Sequence, residues 1–233
     1  MNTAKRNTDL FNEEASCITK LHKARNRTKA EVYIADRNGS KIVFKDFRNI
    51  FALIRLSYGR YSLYREAKAY AQLEGVPGVP RCFGLEGREV LLLEYVKGQP
   101  LSSFKKGGVP ESVFAQLEKT LSSMHSRGVA NGDLHRSNVL VTSDWDVYLV
   151  DYASSFFTAK PDKPGFLFRG IRNLDRFAFE RIKAKYLCLE VPVPNGVFGV
   201  CYTFCVTLKK IKKMKKIKRI IKNIKNCFSG NET

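Results

Sequence analysis

The spacing of apolar positions changes period several times along this chain, and each change marks an element. Residues 30–35 and 41–45 carry Val32, Tyr33 and Ile34, then Ile42, Val43 and Phe44, and read as two strands. Asn38-Gly39 between them predicts a tight hairpin turn. Over residues 62–73 the spacing becomes helical, with Leu63, Ala67, Tyr70 and Leu73 recurring, until Gly75-Val76-Pro77-Gly78 stops it. Residues 88–96 predict another strand around Val90-Leu91-Leu92-Leu93. Residues 111–127 predict a helix with Val113, Phe114, Leu117, Leu121 and Met124 on one face, Pro110 near its start and Gly128 near its end. Val139-Leu140-Val141 and Val147-Tyr148-Leu149-Val150 form the arms of a second hairpin, with a polar turn beginning Thr142-Ser143-Asp144. A last helix is predicted over residues 173–187, with Leu174, Phe177, Phe179, Ile182 and Tyr186.

The second hairpin gives three polar residues their meaning. Asp133, then Asn138 at the start of one strand, then Asp151 just past the end of the other, would lie close together. Two carboxylates and an amide at this spacing suit a hydroxyl nucleophile and a Mg²⁺-bound triphosphate. Asp133 would orient or accept the hydroxyl proton, and Asn138 and Asp151 would hold the metal. Lys45, on the returning strand of the first hairpin, could neutralise phosphate charge. Glu66, on the first helix, could face Lys45 as its ion-pair partner, or pair instead with Arg65 or another helical neighbour.

The run Gly132-Asp133-Leu134-His135-Arg136-Ser137-Asn138, followed by Asp151-Tyr152-Ala153, resembles the catalytic loop and metal-binding motif of the protein-kinase-like superfamily. The likeness covers about residues 29–185. It is of the atypical branch: Asn131-Gly132-Asp133 stands where His-Arg-Asp is usual, and His135 where a lysine is usual. Gly-Asp-Leu-His-x-x-Asn is similar to aminoglycoside and choline kinases, RIO-type kinases and lipopolysaccharide-core (Kdo/heptose) kinases. The resemblance implies an α+β, bilobal kinase-like fold, with a small β-rich amino-terminal lobe and a mainly helical carboxy-terminal lobe. It implies ATP and Mg²⁺ as cofactors and a hydroxyl-bearing acceptor. It also makes the strand of residues 88–96 the approach to the interlobe hinge, with Leu93 behind the adenine and backbone groups near Glu94 and Val96 along its edge. A glycine-rich loop before Lys45 is missing; residues 22–29 are basic and glycine-free, so backbone amides and Arg25 or Arg27 would cover the phosphates instead. Neither an Ala-Pro-Glu motif nor a long activation segment follows Asp151, so no peptide-docking platform is visible.

Composition adds a partner and a boundary. The 233 residues carry a formal charge of +19, which implies an anionic partner: phosphates, an acidic lipid surface or nucleic acid. Ten Lys or Arg and no acid fall within residues 209–225. Ile211, Met214, Ile217, Ile220, Ile221, Ile224 and Phe228 recur there at helical spacing, which predicts a basic amphipathic helix over residues 209–228. Such a helix suits an anionic membrane, each basic group contributing about 1 kcal/mol before screening. It could also dock its apolar stripe on the large lobe. Nucleic acid fits less well, because the lysines lack interleaved aromatics for base stacking. Residues 191–208 are uncharged but broken by Pro192, Pro194, Gly196 and Gly199, so they predict a final core segment rather than a membrane span. The divisions expected are 1–18 as an amino-terminal extension, 19–97 as the small lobe, 98–208 as the large lobe and 209–233 as the tail. Six cysteines without a Cys-x-x-Cys pair predict reduced thiols rather than zinc, and residues 1–20 lack the apolar core of a secretory signal.

The chemistry expected is transfer of the γ-phosphate of ATP to a hydroxyl. A lipopolysaccharide-core or RIO-like kinase, cytoplasmic and peripheral on the inner face of the cell membrane, is the leading reading. A serine/threonine protein kinase, a soluble small-molecule kinase and a nucleotide-binding pseudokinase are the alternatives.

Overall fold

A computed structural model describes residues 15–22, 30–37, 39–52 and 55–190. Contacts divide the chain into a unit ending at Glu190 and a second beginning at Val191. The second unit, with the expected core segment of residues 191–208 and the tail of 209–228, lies outside the described residues, as do Arg25 and Arg27.

The first half is a five-stranded antiparallel sheet in the order β1-β2-β3-β5-β4. Its strands are β1 (Ala15–His22), β2 (Glu31–Arg37), β3 (Ser40–Asp46), β4 (Cys82–Glu86) and β5 (Val90–Glu94). β1 runs across residue 18, where the sequence reading ends the amino-terminal extension. The hairpin from β2 to β3 is in register from Glu31↔Asp46 to Arg37↔Ser40, with Gly39 at a φ of 75° beside the turn. Such a positive φ costs glycine little, and the Gly39 N–H donates to Asp36 Oδ1 at 3.1 Å.

Strand alternation sorts the sheet's side chains onto two faces. Ile42 and Phe44 join Tyr33, Ala35, Val90 and Leu92 in a small separate core. Val43 and Lys45 point the other way, with Leu91 and Leu93, towards the main core. Lys45 pairs with Leu91 across the ladder. A lysine therefore emerges on the buried face of a central strand, which demands a partner.

Between β3 and β4 runs α1 (Arg60–Gln72), entered through a π-turn over Arg55–Gly59. Ser62, Leu63, Glu66, Ala69 and Tyr70 make up its buried face. Arg60 Nη2 holds its start to Glu89 Oε1 at 2.8 Å.

Among the described residues, the second half holds two long helices and five short strands. β6 (Gly98–Pro100), β8 (Val139–Thr142) and β9 (Val147–Leu149) form one small sheet in the order β6-β8-β9, and β7 (Val129–Ala130) pairs with β10 (Phe156–Phe157). α2 (Glu111–Ser126) buries Val113, Phe114, Leu117, Thr120, Leu121 and Met124, the stripe its spacing predicts with one threonine added. That hydroxyl is satisfied by the Pro77 and Gln116 carbonyls, each at 3.0 Å.

α3 (Phe166–Tyr186) starts seven residues before the expected 173–187. Its buried face is Phe168, Asp175, Phe179, Ile182, Ala184 and Tyr186, whereas Leu174 is exposed. The apolar stripe is therefore rotated from the one read in the sequence. Its missing member is an acid.

Candidate active site

Five polar side chains converge where the two halves meet. Lys45 Nζ lies 2.5 Å from Glu66 Oε1 and 3.3 Å from Asp151 Oδ1. The Glu66 carboxylate is 3% exposed and that of Asp151 49%, so one partner is structural in position and the other faces solvent. Glu66 pairs with Lys45 and not with Arg65, because its place on the buried face of α1 directs it at β3. Glu66 Oε1 also accepts the backbone N–H of Tyr152 at 3.4 Å, which ties α1 to the residue after Asp151.

Charge fixes the ionisation of this group. Burial alone would depress the Lys45 ammonium, but the charges of Glu66 and Asp151 outweigh it and hold its pKa above the ordinary value. Lys45 in turn holds Asp151 below the usual carboxylate range, against the opposing effect of burial. Burial pushes Glu66 up while Lys45 pulls it down. A cation on Lys45 and an anion on Asp151 are thus both present at neutral pH.

The other side of the site is set by hydrogen bonds to backbone. Asn138 is buried at the head of β8, and its Nδ2 donates to the Asp133 carbonyl at 3.3 Å. With its nitrogen so used, its Oδ1 is the end left to accept a proton or coordinate a cation. The Val150 N–H donates to the Asn138 carbonyl at 2.9 Å, which brings Asp133, Asn138 and Asp151 together across the β8–β9 hairpin. The Asp133 carboxylate is 63% exposed, with His135 Nε2 at 3.8 Å.

Two further residues carry this arrangement, and sequence reasoning passed over both. Asn131 is fully buried: its Nδ2 donates to the Asp151 carbonyl at 3.4 Å and its Oδ1 accepts the Asp133 N–H at 3.0 Å. It bridges the backbones of the two acids. Asp175 of α3 is buried, and its two oxygens accept the N–H groups of Asn131 at 2.7 Å and Gly132 at 2.9 Å. His125 Nε2 contacts the same carboxylate at 3.1 Å, so this histidine braces Asp175. Gly132 has a φ of 76°, and a Cβ there would lie 3.0 Å from the Ser154 carbonyl oxygen, so only glycine fits without strain. Asp151 itself has a φ of 70°, a left-handed conformation that costs a non-glycine residue about 1 kcal/mol or more.

Tyr152 stands behind the acid. It is fully buried, its hydroxyl donates to the Leu149 carbonyl at 3.0 Å, and its ring meets that of Tyr70 edge-on at 4.8 Å. At the other end of the site, Leu93 is buried as expected for the back of a pocket. Glu94 turns its carboxylate to the Arg81 N–H at 2.8 Å, and its own N–H donates to the Arg81 carbonyl at 2.8 Å. The Val96 carbonyl accepts the Gly98 N–H at 2.9 Å.

Among solved structures, the Rio2 kinase–ADP/Mg²⁺–phosphoaspartate complex from Chaetomium thermophilum matches with a TM-score of 0.58 at 15% identity, over 83% of this chain and 62% of that one. The fold is therefore the bilobal, protein-kinase-like fold. A family model, the RIO domain, matches residues 6–191. The chain belongs to the RIO-domain family.

Its relatives include kinases of more than one kind. A putative serine/threonine-protein kinase, YrzF of Bacillus subtilis, is 26% identical over 147 residues, covering 62% of this chain and 63% of that protein. The lipopolysaccharide core heptose(II) kinase WaaY of Escherichia coli is 29% identical over 92 residues, covering 40% of this chain and 34% of WaaY. The chain thus spans less than two thirds of the length of each.

Proposed function

We propose that this protein moves the γ-phosphate of ATP to a hydroxyl, with Mg²⁺, and that its acceptor is a sugar of the lipopolysaccharide-core type. One observation carries the reading: an ammonium held between a buried carboxylate and a half-exposed, ionised one. The donor set fits the nucleotide and its metal. Mg²⁺ takes oxygen ligands, and Asp151 and the Asn138 Oδ1 supply two from the ends of one hairpin. When bound, the metal would neutralise charge on the nucleotide phosphates.

The protein's own groups do the rest by position and charge. Lys45 offers a fixed cation to the α- and β-phosphates, and Glu66 prevents it from swinging onto the sheet. Asp133, exposed and fixed through its backbone by Asn131 and Asn138, accepts the hydroxyl proton as the oxygen attacks. Leu93 backs the adenine, and backbone groups of Glu94 and Val96 meet its edge. The presence of all five polar groups argues against a pseudokinase.

The choice of acceptor rests on two features. Between Asp151 and α3 lie only β10 and turns, too little chain for a peptide platform. The basic residues 209–228 suit an anionic surface, so the enzyme would work on the cytoplasmic face of the membrane, held peripherally. No helix of the described residues is long and apolar enough to cross a bilayer. Likeness to YrzF favours a second reading, a serine/threonine protein kinase.

Radiolabelled ATP offered with parallel pools of membrane glycolipid, cellular protein and free sugars tests the acceptor. Label in glycolipid is expected, and label confined to protein would replace the first reading with the second. Deleting residues 209–233 should move the protein from the membrane to the soluble fraction. An unchanged partition would remove the surface proposal.

A further inference from the structure

Arg65 sits beside Glu66 on α1 and reaches a different part of the molecule. Its Nη2 donates to the carbonyl of Ser155, four residues past Asp151. Its guanidinium lies 5.6 Å from the ring centre of Phe156 and 5.6 Å from that of Tyr61, so it is held between two aromatic faces. One turn along α1, Lys68 Nζ lies 4.9 Å from the ring of Phe157. Phe156 and Phe157 are the whole of β10, and they pair with Ala130 and Val129 directly before Asn131. The Phe156 ring also closes on the catalytic loop, since a Cβ on Gly132 would lie 3.3 Å from its Cδ2.

We propose that Arg65 is a positioning residue which, with Lys68, clamps α1 onto β10 and so keeps Glu66 against Lys45. Lys45 belongs to the sheet and would travel with it, so its bond to Glu66 cannot by itself hold the helix to the other half. Gln72, the last residue of α1, bonds the Arg127 carbonyl, and the rest of the helix is held by contacts to the segment after Asp151. Of the hydrogen bonds from α1 to that segment, the one from the Tyr152 N–H to Glu66 is long at 3.4 Å, and Arg65 donates the other, to Ser155, beside the Tyr70–Tyr152 ring contact. Ser155 is fully buried, and its carbonyl needs a donor that Arg65 supplies. Both rings are uncharged, so the grip is made by unmodified side chains and requires no phosphate on the segment.

The test compares the full chain with Arg65→Ala, Arg65→Lys, Glu66→Gln and the double variant Arg65→Ala/Glu66→Gln. Two quantities are read: ATP turnover with Mg²⁺, and amide hydrogen exchange over residues 153–158. The turnover arm rests on the phosphotransfer reading above; the exchange arm does not. Arg65→Ala should lower turnover tenfold or more, up to about 100-fold for a misplacement near 1 Å. Adding it to Glu66→Gln should cost nothing further, because both act through one contact. Arg65→Lys should recover most of the loss. Amides 153–158 should exchange faster in Arg65→Ala while those of α2 do not change. Losses that multiply in the double variant, or unaltered exchange at 153–158, would overturn the clamp. A wild-type protein without turnover, but with exchange that responds as expected, would sink the phosphotransfer reading and leave the clamp standing.

Discussion

The two sides of the site are held by different physics. On the Lys45 side, ionised side chains touch one another directly, across 21 residues to Glu66 and 106 to Asp151. On the Asp133 side, the carboxylate is 63% exposed with His135 near it, and its backbone is gripped instead by the carboxamides of Asn131 and Asn138, while Asp175 holds the two preceding amides from beneath. The first arrangement places charge; the second places chain. Removing a half-exposed charge leaves the backbone where it was, whereas removing a buried acceptor orphans amides that have no water to turn to. Activity and stability should therefore separate between the two sides.

Asp151→Asn is the sharpest way to break that contrast, and it carries the largest effect. The carboxylate is half exposed, so its loss should change unfolding free energy by about 1 kcal/mol or less. ATP turnover should fall by about 10²–10³-fold, as for other preorganised charges in active sites. Urea unfolding beside a turnover assay checks both halves. A variant that unfolds early and keeps its rate per folded molecule would reverse the assignment of the two sides.

Asp175→Ala comes next and should show the opposite profile. Two backbone N–H groups and His125 lose their acceptor in a buried place, at about 3 kcal/mol or more in all. Denaturant midpoint, with slope unchanged, is the measurement. If stability holds and only turnover falls, Asp175 belongs with the charges and not with the scaffold.

These two acids also show what the sequence made visible. Asp151 was legible because it stands at a motif spacing from Asn138 across one hairpin, and local strand patterns reveal the hairpin. Lys45 and Glu66 were legible because alternation and helical phase put each on an inward face. Asp175 follows the same arithmetic, seven residues after Phe168 and four before Phe179, yet an acid breaks a stripe read by hydrophobicity alone. Its partners lie 43, 44 and 50 residues away, and nothing local marks them. Asn131 reads as a departure from a motif; only the fold reveals that both ends of its amide are in use. The early start of α3 was hidden by Phe166 and Leu167, which are 85% and 65% exposed and so blur the face that Phe168 begins. β1 departs from regular pairing: its register with β2 shifts between Ala15 and Ile18 and again before His22.

The pH dependence sharpens the charged side alone. Lys45 lowers the folded pKa of Asp151 below its unfolded value, which is about 3.9 for an ordinary aspartate. The folded state then binds fewer protons than the unfolded state in that window, so this ionisation stabilises the fold above the unfolded pKa. The contribution is lost as pH falls through the lower, folded value. Thermal midpoints of wild type and Asp151→Asn should therefore keep a constant gap from neutral pH down to about 4, then converge. Convergence already complete by pH 6 would mean that Lys45 does not govern Asp151.

Tyr152→Phe should have the smallest effect and tests whether the two sides share a wall. The substitution removes only the hydroxyl that donates to the Leu149 carbonyl and keeps the ring against Tyr70. The loss should be about 1 kcal/mol of stability, the usual net worth of one neutral hydrogen bond. Turnover should stay within a few-fold, because Glu66 contacts the Tyr152 backbone and not its side chain. Tyr152→Ala, by contrast, removes the ring from between α1 and β9, and should lower stability and turnover together. If the phenylalanine variant loses as much activity as the alanine one, the hydroxyl itself holds Asp151 in place, and the division between charge-set and backbone-set sides ends at this residue.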